Sequence, residues 1–279
     1  MANETTSTTI SELYTEIVAE ALFVASEQSI MRNLVRNYTI AGGGKSVEVP
    51  IYATVSASAV SEASDLSNTA VNPSSVTITA SEVGIMTTLT DLARNSASRN
   101  VAGDIGRLFG EAIARKLDAD LSALFSGFST EKGGGAGVEL TIQDIFEASA
   151  ELRTANAPAP YYGVFHPKQI FNVKKSLTNT FVGRDTELSN EAMRSGFVGS
   201  IAGVQIFESS NISVDGSDDS IGGVFSQDAL GLAMMQDLKI ESQRDASLRA
   251  DEIVATAVYG VGELHDSYGV KLTADTLAN

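Results

Sequence analysis

The sequence predicts an α+β fold for a chain of 279 residues. Apolar residues recur every three or four positions in residues 100–125, as in a helix, and every second position in residues 47–59, as in a strand. Helical and strand-like runs are then mixed through the C-terminal half. With 43% apolar and 19% charged residues, the chain can bury a sizeable core as one large domain or two smaller ones.

Charge and composition exclude several classes of function. The chain has 19 Lys+Arg against 35 Asp+Glu, a net charge of −16, so it lacks the cations that hold nucleic acid through its phosphates. It has no Cys, which excludes disulfides, thiolate metal sites and cysteine nucleophiles. The N-terminus lacks a basic signal-peptide start, and no run reaches the roughly 18 apolar residues of a spanning helix. We therefore expect a protein kept inside a cell and not inserted in a membrane.

Residues 1–44 predict an N-terminal arm. Thr9-Ile-Ser-Glu12 fits a capping box, in which the Thr9 hydroxyl and the Glu12 carboxylate satisfy amides at a helix start. Apolar residues follow at three- and four-residue steps from Ile10 to Val24, so one face of this helix requires a partner surface. Periodicity does not distinguish an arm that packs on another chain from a helix buried in its own chain, and both alternatives stay open.

Residues 45–90 predict a long β-hairpin. Small apolar residues alternate with polar ones from Val47 to Ala59, a turn-rich segment follows, and a returning strand is expected from Val76 to Leu89. These side chains bury little apolar area, and an isolated two-stranded ribbon is only marginally stable in water. We therefore expect the hairpin to lie against another subunit.

The longest regular element is a helix over residues 100–125. Its predicted apolar stripe includes Leu108 and Leu117, with charged residues such as Asp118 directed elsewhere, and Gly127 is expected to end it. A glycine-rich link at residues 131–137 then leads to a second subdomain. That subdomain has helices expected after Thr141 and over Lys168–Leu177, and strands at Tyr161–Phe165, Val204–Glu208, Ile221–Phe225, Leu232–Ser242 and Ile253–Leu264.

Candidate catalytic and binding motifs have simpler explanations. Gly44-Lys45-Ser46 lacks the earlier glycine and the following helix of a phosphate-binding loop, so we interpret it as a glycine swivel. No nucleophile-elbow motif accompanies His166 or His265, and His166 directly precedes a proline that starts a helix. Asp215-Gly-Ser-Asp-Asp219 lacks the spacing of a calcium loop and reads as an exposed acidic turn. We expect no enzyme activity, cofactor or metal.

Several loose motifs occur in an order and spacing that are specific to one family. Lys45-Ser-Val-Glu-Val-Pro-Ile51, Ala59-Val-Ser-Glu62 and Leu89-Thr-Asp-Leu-Ala-Arg-Asn-Ser96 lead into the long helix. Tyr162-Gly-Val-Phe-His-Pro167, Gly203-Val-Gln-Ile-Phe-Glu-Ser209 and the run from Ser247 to Gly260 follow. This succession resembles the major capsid protein of tailed double-stranded DNA bacteriophages, which has the Hong Kong 97-like capsid fold, and covers nearly the whole chain.

The resemblance implies a subunit that assembles into hexamers and pentamers of an icosahedral phage head enclosing DNA without sequence-specific binding. The implied location is the virion, after assembly in the host cytoplasm. The implied partners are other copies of the chain, a portal protein, a decoration protein and, since no long scaffold segment precedes the hairpin, a separate scaffolding protein. The implied divisions are an N-terminal arm at 1–44, an extended loop at 45–90, a spine helix of the peripheral domain at 91–130, an axial domain at 138–240 and closing peripheral strands at 241–279.

The resemblance also implies charged contacts between subunits around local three-fold axes. We expect Arg249 to pair there with a carboxylate of a neighbouring chain; the alternative is an ordinary surface charge that contributes about 0–1 kcal/mol. A mobile loop near the capsomer centre is expected at Thr178–Gly199. The candidate contact residues are Glu62, Asp65, Arg244, Arg249, Asp251 and Glu252.

Two other structural functions stay open at this level. The shell protein of a bacterial encapsulin-type nanocompartment has the same fold and would enclose cargo enzymes instead of a genome. A tail-tube or adhesin subunit would form rings or fibres and would not need the long helix. An enzyme would require a pocket with a perturbed acid or base around His166 or His265.

Overall fold

The computed structural model describes residues 29–41, 44–52, 73–96, 101–181 and 199–276, together with a few positions between 55 and 71. The side chains of residues 94–96, 101–103 and 176–181 are not described. The predicted capping box at Thr9 with its helix, and most of the predicted loop Thr178–Gly199, lie outside the described residues. No helix in the described part is long and apolar enough to span a bilayer.

The described elements are four α-helices and twelve strands. The helices are α1 (Asp91–Ser96), α2 (Val101–Ala123), α3 (Ile142–Thr154) and α4 (Pro167–Phe181). The strands are β1 (Arg36–Thr39), β2 (Ser46–Tyr52), β3 (Pro73–Thr79), β4 (Ser81–Thr90), β5 (Glu131–Lys132), β6 (Tyr161–Phe165), β7 (Ser200–Ile201), β8 (Val204–Glu208), β9 (Asp219–Ser226), β10 (Leu230–Asp245), β11 (Ala250–Glu263) and β12 (Gly269–Asp275). Short 3-10 turns lie at Met31–Asn33, Leu124–Gly127 and Asp266–Tyr268.

Helix α2 packs along a four-stranded sheet with the order β1-β10-β11-β4. Its 23 residues span about 35 Å and are followed by the 3-10 turn that ends at Gly127, as the sequence predicts. The buried stripe of α2, which includes Phe109, Ile113 and Leu121, meets side chains of β10 and β11 in the main core. The Tyr259 hydroxyl on β11 donates to the Asp120 carboxylate at 2.9 Å, and burial raises the pKa of Tyr259.

The predicted apolar stripe of α2 is wrong at two positions. Leu108 is 61% exposed, whereas Asp118, expected to point away from the core, is completely buried. The buried stripe of α2 therefore includes Ala114 and Asp118 and excludes Leu108. Tertiary hydrogen bonds to the Asp118 carboxylate explain its burial, since a buried charge is tolerated only when its lone pairs are satisfied.

The second layer is a six-stranded sheet with the order β5-β12-β9-β6-β8-β7. Helices α3 and α4 cover one face, where Leu152 and Ile170 pack against strand residues. The other face joins the main core through Phe225, whose ring lies 5.4 Å from that of Phe125. Helix α3 begins with the predicted cap, since the N–H and hydroxyl of Thr141 both donate to Asp144 at 2.8 Å.

The predicted strands of the C-terminal half are confirmed, with different ends for three of them. Strands β6 and β8 have the predicted bounds, whereas β9, β10 and β11 differ from prediction at one or both ends. The predicted helix at Lys168 begins one residue earlier and extends to Phe181. The sequence did not predict β1 or β12; β12 pairs antiparallel with β9 and is buried at five of its seven positions.

Strands β2 and β3 form a separate two-stranded ribbon. They pair antiparallel from Ser46 opposite Thr79 to Tyr52 opposite Pro73. The described part of β2 ends at Tyr52, short of the predicted Ala59. The predicted single returning strand is also wrong, because the chain leaves the ribbon at Ala80 and continues as β4, which pairs with β11 instead. Apolar residues change there from even positions to odd ones, which turns the opposite side of the chain toward the core.

The ribbon is anchored at its root by one side chain. Ile78 is buried in a small cluster with Val49, Ala233 and Leu264. It lies over three glycines of β10 and β11, because a Cβ at Gly231 or Gly262 would come within 2.9 Å of Ile78. A Cβ at Gly260 would lie 2.4 Å from the Thr79 carbonyl oxygen, so the ribbon and the sheet approach too closely for a side chain.

Candidate assembly surfaces

A network of ion pairs fixes the end of the β10–β11 hairpin. The Arg244 guanidinium donates to both carboxylate oxygens of Asp91, at 2.8 and 2.6 Å, and to Asp251 at 3.2 Å. These two carboxylates raise the pKa of Arg244. The two-pronged contact with Asp91 has the planar geometry that arginine and carboxylate favour, so it orients the start of α1 against the hairpin.

The turn of this hairpin is held in one shape. Asp245 Oδ1 accepts hydrogen bonds from the N–H and hydroxyl of Ser247 and from the N–H of Leu248, which lower the pKa of Asp245. Arg249 has a φ of 51°, a left-handed conformation uncommon for a residue with a side chain. Its carbonyl accepts from the N–H of Asp91 at 3.0 Å. The turn is thus a rigid projection.

Apolar and charged side chains are exposed together on this projection. Leu248 is 58% exposed and Leu92 is 80% exposed. The hydrogen bond from the Asp91 N–H to the Arg249 carbonyl brings these two backbones together. Leu92 follows Asp91 and Leu248 precedes Arg249, so the two leucines lie on the same part of the surface. The Arg249 side chain is exposed and has no ion pair among the described residues. Two exposed leucines beside a cation that has no ion pair among the described residues make this turn a candidate contact surface.

The structure separates the six predicted contact residues into three sets. Arg244 and Asp251 bind each other within the chain, and Arg249 lies exposed beside them. Glu252 is half-buried, opposite Gln243 and Thr88 in neighbouring strands. Glu62 and Asp65 are exposed positions beyond the described part of the ribbon and do not join the network.

Sequence reasoning missed an internal anchor at Asp118. Its carboxylate accepts hydrogen bonds from the Ser29 hydroxyl at 2.8 Å and from the N–H groups of Ile30 and Met31, both at 3.2 Å. Asn211 donates from the other side at 3.5 Å. Burial raises the Asp118 pKa despite these bonds. The sequence signal for this burial was the helical spacing that places Asp118 on the same side of α2 as the apolar residues Ala114 and Leu121.

The ribbon exposes apolar side chains far from its root. Tyr52 is 63% exposed, and Val55, Val60 and Val71 beyond it are also exposed. Within the described residues, only the root of the ribbon packs on a core. Since a two-stranded ribbon is marginal alone, this surface requires cover from elsewhere.

The described residues hold no group of three or more potential metal ligands. His166 Nδ1 accepts from the N–H of Lys168 at the start of α4, as expected of a residue before a helix. The His265 ring lies 4.6 Å from that of Tyr268, and burial lowers the pKa of both histidines. His265 lines a cleft of about 190 Å³ together with Arg36 and Asp228. A second cleft, of about 400 Å³ beside Phe146 and Arg153, contains neither histidine. His166 is thus a helix-entry residue, and His265 packs on Tyr268 at the edge of the smaller cleft.

Two stacked sheets, a long helix and a projecting ribbon with uncovered surfaces define a subunit of a larger protein assembly. A family model described as phage capsid protein matches residues 73–272, more than half of the chain. The chain belongs to this family and is a structural subunit of a bacteriophage head. The resemblance found in the motifs is confirmed, and the nanocompartment and tail-tube alternatives are not favoured.

Solved phage structures share the fold at low sequence identity. The capsid of cyanophage P-SCSP1u is 20% identical, with a TM-score of 0.69 and coverage of 88% of each chain. The head of Helicobacter pylori bacteriophage KHP40 is 14% identical, with a TM-score of 0.70 over 89% of this chain and 92% of that one. Mycobacterium phage Che8 is 23% identical, with a TM-score of 0.66 over 82% and 84%. The predicted α+β, Hong Kong 97-like capsid fold is therefore confirmed. No curated protein matches the sequence.

Proposed function

We propose that the chain forms the hexamers and pentamers of an icosahedral head that encloses double-stranded DNA. The observation that carries this proposal is the β2–β3 ribbon, which is anchored at Ile78 and exposed beyond it. A neighbouring subunit would cover its exposed apolar residues, and such a head-to-tail contact closes into rings. The apolar surface that the ribbon leaves exposed in one chain would then be buried between chains.

The division of the chain in this proposal follows the sequence prediction. The ribbon and its connections form the extended loop, α2 forms the spine of the peripheral domain, and the six-stranded sheet with α3 and α4 forms the axial domain. Support comes from the two separate clusters of buried residues on the two faces of that sheet. The proposed ranges are 1–44, 45–90, 91–130, 138–240 and 241–279.

Arg249 is proposed to bind a carboxylate of a neighbouring copy at the local three-fold axis. The turn leaves this side chain exposed, and the acidic excess of the chain offers many carboxylates to a cation that has no ion pair among the described residues. Arg244 and Asp251 have a positioning role in this contact because they hold the turn from within the chain. Glu252, Glu62 and Asp65 are the further candidates.

The remaining partners follow from the same proposal. The DNA would be contained without being bound, because a chain of net charge −16 offers few cations for phosphates. A separate scaffolding protein would set the curvature during assembly in the host cytoplasm, a portal protein would occupy one vertex, and a decoration protein could bind the outside. We propose no catalytic role.

Negative-stain microscopy and sedimentation of the purified chain test the proposal. Closed shells, or rings that close when the scaffolding protein is added, are the expected result. Tubes with six-fold walls would also support it, since they use the same contacts with a different curvature. A monodisperse monomer or dimer at high concentration, with or without scaffold, would contradict it.

A further inference from the structure

Strand β4 has one free edge. It pairs with β11 residue by residue, from Ser81 opposite Tyr259 to Thr90 opposite Ala250, and is the last strand of the four-stranded sheet. Among the described residues, its other edge has no strand partner and its outward backbone groups accept or donate no hydrogen bond. Every second residue of this ten-residue strand therefore directs its N–H and C=O to the free edge, and such a row is a template for another strand.

The features that usually protect an edge strand are absent from β4. It contains no Pro or Lys, and Glu82 near one end is its one charged residue. Its pairing with β11 continues without a register shift, so no bulge turns the edge away. Met86, at the centre of the strand, is 60% exposed on the solvent face. Such an edge is expected to be paired in the assembled state.

The other described strands fit this edge poorly. Strand β2 carries Pro50, which lacks an N–H, and β3 is held over β11 at Thr79, so only part of its free edge is open. Strands β1, β5 and β7 have four, two and two residues. The described strand that matches β4 in length and openness is β4 of a second copy.

We infer that two copies of the chain join by antiparallel pairing of their β4 strands about a two-fold axis at Met86. Directly opposed residues share a face, so Met86 would lie opposite the same residue of the second copy. Glu82 would lie opposite Thr90, which separates the two Glu82 carboxylates. Each Met86 side chain would cover the other, and the two four-stranded sheets would become one.

The role given to this pairing rests on the proposed function, because the neighbouring rings that it would connect are part of that proposal. An icosahedral shell requires two-fold contacts in addition to the contacts that close each ring. The ribbon serves the ring in that proposal, whereas the β4 edge would join one ring to the next. The two contacts use different surfaces and can fail separately.

Single-cysteine cross-linking tests the pairing directly, because the chain has no native Cys. Met86→Cys should place two thiols within reach of a disulfide, since opposed Cβ atoms in antiparallel strands are about 4.5–5.5 Å apart. Mild oxidation of assembled particles should give at least about tenfold more disulfide dimer than Leu108→Cys, an equally exposed site on α2. Intact shells without this excess would overturn the inference and leave the proposed function standing.

A charge at the same position gives a second test. Met86→Lys should place two ammonium groups opposite each other, so rings should form while closed shells are lost. Leu108→Lys is the matched control and should close normally. Equal closure of both variants would overturn the pairing. Slow hydrogen exchange in monomers of those amides of residues 81–90 that do not donate to β11 would also overturn it, because the chain would then cover its own edge. A Met86→Cys dimer without any shell would support the pairing and contradict the proposed function.

Discussion

The Ser29 hydroxyl donates a hydrogen bond of 2.8 Å to the Asp118 carboxylate, and both residues are buried although 89 positions separate them. The same carboxylate accepts from two consecutive backbone amides after Ser29. A carboxylate in the middle of a helix thus caps a separate turn of the chain. The contact fixes residues 29–31, which lie within the predicted arm at 1–44, on the long helix.

Asp118→Ala should release this turn. The substitution leaves the Ser29 hydroxyl and two amides without their acceptor, and each buried orphan costs about 1–3 kcal/mol. We expect a loss of unfolding free energy on the order of 3 kcal/mol, with faster hydrogen exchange at Ile30 and Met31. Asp104→Ala, at an exposed position in the first turn of the same helix, should leave the exchange at Ile30 and Met31 unchanged and lower the unfolding free energy by at most about 1 kcal/mol. Equal protection in the two variants would contradict the anchor.

Asp118 should also make stability depend on pH. Burial raises its pKa above the unfolded value, so the folded state favours the protonated carboxyl. As the pH falls from neutral through the folded pKa toward the unfolded one, this group should therefore add stability. The melting temperature of the wild type relative to Asp118→Asn should rise over that range. A difference that is constant or falls on acidification would show that the hydrogen bonds outweigh burial.

Gly260→Ala should displace the ribbon root. The new Cβ would meet the backbone oxygen of Thr79 at 2.4 Å, which cannot rotate away as a side chain could. We expect a cost of about 1–3 kcal/mol and faster proteolysis of the ribbon. Gly216→Ala is the control, because a Cβ there has no neighbour within 4 Å. Similar proteolysis of both variants would mean that the ribbon adjusts without strain.

Arg244→Ala and Arg249→Ala should separate stability of the subunit from stability of the shell. Arg244 binds Asp91 and Asp251 in its own chain, so its loss should lower the melting temperature of the free subunit. Arg249 has no described ion pair, so its loss should lower only the temperature at which assembled particles come apart. Calorimetry of dissociated and assembled protein measures both. An Arg249→Ala shell as heat-resistant as wild type would remove the proposed three-fold contact.

The elements that were predicted correctly are those in which apolar residues recur at a regular period. The repeats around Phe109 and Val204 lie in elements that bury one face, and burial is what the pattern records. The break at Ala80 was missed because alternation continues across it, and only the change from even to odd apolar positions marks it. The late strand containing Leu272 was missed although its apolar residues alternate with polar ones, so this part of the fold was predictable from the sequence.

Local patterns predicted the candidate surfaces less completely than the fold. Arg244 and Arg249 are five residues apart in the sequence, yet Arg244 binds Asp91 at the start of α1 and the side chain of Arg249 is exposed. Pairing across 153 positions depends on the sheet register, which composition does not contain. The burial of Asp118 was missed for the same reason, since its donors come from a separate turn.

Ala80 alone separates β3 from β4, and its N–H donates to the Lys45 carbonyl at 2.7 Å. One residue offers two soft torsions and no slack chain. We therefore expect a tilt of the ribbon about buried Ile78 to move the edge strand as well. The ribbon and the edge strand β4 therefore form one continuous element, so a contact made by the ribbon would also affect the border of the four-stranded sheet.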